Sequence, residues 1–142
     1  MIKKLKRILL TVFVCLLSHS LLQAGLGRKV EKFDFDWRFN LGDVRGAAAP
    51  DFGDKGWRLL NVPHDWSIEQ SFVYDKKLSA NGFLPGGVGW YRKHFSISQK
   101  DQGKKIYLHF EGVYHQSDVY INGHHLGFHP YGYTPFEYDL TD

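Results

Sequence analysis

The chain has 142 residues, one cysteine, 16% aromatic residues and a formal charge of +3. A single cysteine excludes an internal disulfide framework, so a folded domain here must be held by its core. The positive charge is local: Lys3, Lys4, Lys6 and Arg7 stand at the start, and beyond residue 24 there are 14 basic against 15 acidic residues, a formal −1. A domain with no net positive field gives little support for binding nucleic acid or an anionic membrane.

The four cations lead into an apolar run over residues 8–17, followed by a segment ending Leu22-Gln23-Ala24. Cationic start, short apolar run and small residue are the order of a secretory signal peptide. The run is ten residues long, well below the ~20 of a membrane-spanning helix. Cleavage is expected after Ala24, which makes residues 1–24 the signal peptide, residues 25–32 a flexible lead and residues 33–142 the folded domain. The product is then exported to the periplasm or beyond, and Cys15 leaves with the leader. The rival reading is an uncleaved anchor. Cys15 follows Phe13 and Val14 in the middle of the run, which is the wrong place for a lipidated cysteine.

Phe33, Phe35, Trp37 and Phe39 alternate with Asp34, Asp36 and Arg38, the period of a half-buried strand. Residues 42–54 are rich in Gly, Ala, Asp and Pro and read as a loop. The stretch GWRLLNVPHDW holds a short apolar element that stops at Pro63, because proline restricts the residue before it and cannot donate to a ladder. Residues 63–89 are irregular, and so long a loop in a compact domain is usually functional or disordered. A strand follows in which Tyr91, Lys93, Phe95 and Ile97 share one face and Trp90, Arg92, His94 and Ser96 the other. After a polar turn at residues 99–103, Ile106, Leu108 and Phe110 alternate with Tyr107 and His109. Asn122-Gly123 then separates Val119 and Ile121 from Leu126 and Phe128, a hairpin signal because both turn residues tolerate the positive φ of a type I′ turn. The class predicted is all-β, with a sandwich as its architecture.

Candidate chemistry is sparse. His125 and His129 have the spacing of two ligands on one helical face, but on a strand residues four apart lie about 13 Å from end to end. With no cysteine or third partner the histidines read as exposed hairpin residues, and no metal or other cofactor is expected. His64, Asp65 and Ser67 are nearly contiguous, whereas triad members come from separated segments. Gly86-Gly87-Val88-Gly89 lacks the lysine and helix of a phosphate cradle. It reads either as a tight turn into a strand or as a loop thin enough for a ligand or a neighbouring domain to sit close. The interleaved aromatic and polar residues suit carbohydrate, though a sandwich core uses the same aromatics for packing.

The motifs VPHDWSIE, FLPGGVGWYRKHF and FEGVYHQSDVYINGHHLGFHPYGYTPFEYDLT together resemble the amino-terminal sugar-binding domain of glycoside hydrolase family 2, over about residues 33–142. Exported bacterial β-galactosidases are the nearest in style, and β-glucuronidases and β-mannosidases belong to the same family. The resemblance implies a jelly-roll, galactose-binding-like β-sandwich, here short of its closing strands. It implies a carbohydrate partner, a β-galactoside or related glycan. It also implies an immunoglobulin-like sandwich and a (β/α)8 barrel that lie outside this chain. Both catalytic glutamates belong to that barrel, so no catalytic residue can be carried over and the chain alone is expected to be inert. In some members a loop of this domain reaches the active site. The counterpart here is residues 65–89, with Asp65 and Asn81 as the candidate sugar contacts. Arg92 is expected to pair structurally with a carboxylate such as Asp118 or Asp139, and Asn122 and Gly123 to build the hairpin. The alternatives left open are a free-standing carbohydrate-binding module and a subunit that docks on a separately made barrel.

Overall fold

A computed structural model describes residues 27–141, with the side chain of Asn81 left undescribed. The expected signal peptide lies outside the described residues. The chain divides into two units, Met1–Phe33 and Asp34–Asp142. The described part of the first is irregular and carries a Lys29–Glu31 ion pair of 2.6 Å.

The second unit is built from β-strands. In chain order they are β1 (Trp37–Leu41), β2 (Arg58–Leu60), β3 (Gly89–Arg92), β4 (Tyr107–Phe110), β5 (Ser117–Ile121), β6 (His124–His129) and β7 (Phe136–Asp139). The only helical elements among the described residues are short 3-10 turns at Ser67–Glu69, Lys76–Asn81 and Gln99–Asp101. β1 is the centre of an antiparallel β2-β1-β3 sheet, while β4 pairs with β7 and β5 with β6, both antiparallel.

The first strand starts later than its alternation suggests. Asp36 takes φ +60° and its N–H donates to Asn61 Oδ1 at 3.1 Å, so Phe33 and Phe35 stay outside the ladder and only Trp37 and Phe39 join it. β3 ends at Arg92 rather than continuing to Ile97, yet the alternation persists, because Arg92 and His94 reach the same carboxylate. The hairpin forms where Asn122-Gly123 places it: φ is +49° and +84° at the two residues, and Ile121 faces His124 across the turn. A register shift after Val119 bulges this pair. β7 is four residues long, too short for its Phe136/Tyr138 alternation to stand out from the turn before it.

Packing centres on Phe39, one of three buried residues described, with Ala47 and Asp54. Its ring meets Tyr91 at 4.9 Å and His64 at 5.0 Å, and the Arg58 guanidinium lies 5.3 Å from its centroid. A second cluster stacks Phe136 between Phe110 at 4.7 Å and His129 at 4.1 Å. Glycines admit aromatic rings at several points, Gly127 and Gly89 among them. A Cβ on Gly127 would stand 2.9 Å from the Tyr138 ring, and one on Gly89 would stand 2.9 Å from Trp66 Nε1 and 3.0 Å from Phe39. No real Cβ tolerates such a contact, so these positions are glycine for space.

Candidate functional site

The long segment after Pro63 is organised by His64. β2 delivers Arg58 and β3 delivers Tyr91 to either side of the imidazole. Nδ1 lies 2.8 Å from the Tyr91 hydroxyl, and Nε2 lies 2.5 Å from Arg58 Nη2 and 3.1 Å from Glu69 Oε1. Arg58 also donates to both Glu69 oxygens, at 2.9 and 3.0 Å, the bidentate pairing that a planar guanidinium favours. Nε2 either accepts from Arg58, whose guanidinium only donates, or donates its own proton to Glu69, and the imidazole tautomer decides between the two. The Tyr91 hydroxyl in turn faces the His64 carbonyl at 3.5 Å.

The electrostatics follow from this geometry. Hydrogen bonds from Arg58 first and His64 second hold the Glu69 carboxyl below its ordinary value. Burial, helped by the Asp65 charge and opposed by Arg58, pushes the Tyr91 hydroxyl up to about 12. Tyr91 therefore stays protonated throughout the physiological range and serves as a neutral hydrogen-bonding post.

Asp65 is exposed, and its Oδ1 accepts from the Ser67 N–H at 2.9 Å and from Ser67 Oγ at 2.6 Å. This is an Asx turn that starts the Ser67–Glu69 element. Asn81 ends the other 3-10 element of the same segment, Lys76–Asn81, which Asp75 caps through the Lys77 N–H at 2.9 Å and Gly82 closes at φ +63°. That sub-loop is tied across its base by the Val73 N–H to the Phe83 carbonyl at 2.9 Å, and by Tyr74 stacked on Phe83 at 5.4 Å. The two candidate sugar contacts thus stand on successive ordered elements of one segment, and the side chain of Asn81 lies outside what the structure describes. His64, Asp65 and Ser67 form no triad, since Ser67 is bonded to Asp65 while both imidazole nitrogens face elsewhere.

The Gly86–Gly89 question resolves at its second end. Trp66 occupies the space beside Gly87 and Gly89, so the group that approaches the thin backbone closely is a ring of the same chain.

Arg92 pairs with a carboxylate, but with Asp54, and not with Asp118 or Asp139. Its Nε donates to Asp54 Oδ2 at 3.1 Å, and Nη1 donates to the carbonyls of Ala47 and, at 3.2 Å, Ala49. His94 Nε2 meets the same Oδ2 at 2.6 Å, and Arg38 lies 3.6 Å from Oδ1. Burial raises the Asp54 carboxyl, but hydrogen bonds and charge from His94 and Arg92 outweigh it and leave the group below its ordinary value. Asp118 instead faces His125 at 2.8 Å, and Asp139 accepts from Thr141. His129 faces Thr134 at 3.0 Å. Among the described residues no group of three or more His, Cys, Asp or Glu side chains is placed to hold a metal ion, and no helix is long and apolar enough to cross a membrane.

Sequence reasoning passed over the Arg58–His64–Glu69 cluster and Asp54. The available signal was an arginine on a short apolar strand before Pro63, with a histidine and an acid soon after it.

The chain is similar in sequence and fold to known proteins. The family model for "Glycosyl hydrolases family 2, sugar binding domain" matches residues 30–142. The beta-galactosidase BoGH2A of Bacteroides ovatus is 52% identical over 115 residues, which is 80% of this chain and 14% of that protein. A beta-glucuronidase of Formosa agariphila is 37% identical over 120 residues, covering 80% of this chain and 12% of the relative. Among solved structures, a beta-glycosidase from Bacteroides vulgatus superposes with a TM-score of 0.76 at 47% identity, over 80% of this chain and 15% of that one. The chain therefore spans only about a seventh of the length of these relatives. By its residues and its all-β fold, it belongs to the sugar-binding domain family of glycoside hydrolase family 2.

Proposed function

We propose that this chain is the amino-terminal sugar-binding portion of an exported family 2 glycosidase of β-galactosidase type, and that it is catalytically inert by itself. The observation that carries the reading is the 52% identity with a beta-galactosidase of which the chain covers 14%. Hydrolysis of the O-glycosyl bond then belongs to a (β/α)8 barrel, and an immunoglobulin-like sandwich would join the two. Export rests on the order of cations, apolar run and Ala24 in the leader. The domain's part is to present an ordered segment, residues 65–89, to the glycan and the barrel. Its order, anchored through His64 and Glu69, supports a positioning role over a catalytic one.

A chimera tests this. Residues 30–142 replace the matching segment of the Bacteroides ovatus relative, and turnover of nitrophenyl β-galactoside is measured beside that of the unmixed chain. Activity in the chimera and none in the chain alone is the expected result. Turnover by the chain alone would overturn the inert reading, and a folded but inactive chimera would overturn the β-galactosidase assignment.

A further inference from the structure

One corner of the domain is not used by the segment described above. The loops at residues 111–116 and 130–135 interlock through glycine. A Cβ on Gly132 would fall 2.4 Å from the Tyr114 ring, and one on Gly112 would meet the Gly132 carbonyl at 3.1 Å. The Tyr114 ring is thus seated on backbone on one side and stacked by His115 at 4.6 Å on another. Tyr133 meets it at 5.5 Å and 60°. The two rings make a corner whose walls are set by packing but whose faces are open: Tyr114 is 64% and Tyr133 85% exposed, with Tyr131 also exposed on the same turn. The turn itself is tied down by His129 to Thr134 at 3.0 Å.

Open aromatic faces carrying hydroxyl tips suit a ligand that is apolar on its faces and polar around its rim. The charge of the region narrows the class. From Ile106 to Asp142 there is no Lys or Arg, while Glu111, Asp118, Glu137, Asp139 and Asp142 are acidic. A uronate would bring a carboxylate to a corner whose own segment, residues 106–142, supplies no Lys or Arg to pair with it and is itself net acidic. A neutral hexopyranoside meets no such penalty.

We propose that the Tyr114–Tyr133 corner is a stacking site for a neutral glycan, built from residues other than those of the segment 65–89, and that it discriminates against uronates. This rests on the sugar-binding reading of the domain and adds the place and the chemical class.

The test uses the full chain at pH 7, with methyl β-galactoside and methyl β-glucuronide as probes and tyrosine ring resonances as the readout. The galactoside is expected to shift Tyr114 and Tyr133 saturably. Binding should weaken about tenfold in Tyr133→Ala and persist in Tyr133→Phe, which keeps the ring, and the glucuronide should bind at least tenfold more weakly. Equal binding of both probes overturns the neutral class. Saturable binding that ignores Tyr133→Ala and is lost in Asp65→Ala overturns the site while leaving the sugar-binding reading intact. Absence of binding of either probe to the folded chain also overturns the site, whereas the β-galactosidase assignment stands or falls with the chimera.

Discussion

Replacing Asp54 by alanine should be among the most damaging single changes in the domain. The carboxylate is only 6% exposed and is shared by Arg92, His94 and Arg38. Removing one partner of a buried pair costs about 3–5 kcal/mol, because the remaining charge is left without compensation. Arg92 is 14% exposed, but it keeps two carbonyl acceptors, which places its share near the lower bound. His94 is 62% exposed and adds less than ~1 kcal/mol. The expected loss is therefore about 3 kcal/mol, or on the order of 12 °C in Tm at ~4 °C per kcal/mol for a domain of this size. Urea and thermal unfolding followed by far-UV circular dichroism and tryptophan fluorescence would measure it. The sign with pH is also set. A carboxyl held below its ordinary value stabilises the fold above pH 3.8 and loses that contribution as pH falls through its folded value, so the acid limb should flatten in the variant. In a cycle with Arg92→Ala the two losses should be clearly less than additive. A loss under ~1 kcal/mol, or strict additivity, would refute the claim that this pair locks the loop at residues 43–54 onto β3.

Gly89→Ala should destabilise by about 1–3 kcal/mol, as overpacking does in a filled site, and should move the Trp66 emission; a silent substitution would mean that Trp66 does not rest on Gly89. His64→Ala and Glu69→Gln should both speed amide exchange across residues 65–70 while leaving the β5–β6 hairpin protected, as measured by hydrogen–deuterium exchange. On alkaline titration by tyrosinate absorbance, Tyr91 should ionise last, near pH 12, and Tyr91→Phe should remove that phase. Since its folded value lies above the ordinary 10, stability should be full below pH 10 and decline between pH 10 and about 12. Asn122→Ala should cost the hairpin turn its tolerance for φ +49° and lower stability by about 1 kcal/mol, read from the urea midpoint.

What could be read without coordinates was local. Asn122-Gly123 identifies its own turn because two adjacent residues that tolerate positive φ between alternating apolar positions leave few other conformations. The alternation from Trp90 onward correctly grouped Arg92 with His94, since a period of two survives even where the ladder stops. Phe33 and Phe35 misled because one left-handed residue, Asp36, ends the strand without altering the pattern around it. Arg92 called for an acid, but nothing in its neighbourhood selects Asp54, 38 residues upstream in a loop, over closer carboxylates. The same blindness hid the His64 cluster: its members come from β2, a turn, a 3-10 element and β3, and only the paired sheet brings them together. The aromatic residues were legible as a composition, not as a division between core and surface, which is why Phe39 and Tyr133 look alike in the sequence and sit at opposite extremes of burial.

The glycine–ring contacts carry a lesson for anyone aligning or redesigning this domain. Gly89, Gly127 and Gly132 are each met by a ring from another segment, Trp66, Tyr138 and Tyr114. The ring fills the space that a side chain on the glycine would take, so each pair behaves as a single residue divided between two stretches of chain. Such a pair should change in concert, with a smaller partner ring opening room for alanine and no substitution at the glycine alone succeeding. Coupled substitution at these positions, measured in a two-site library, would then report three-dimensional neighbourhood as directly as a distance does.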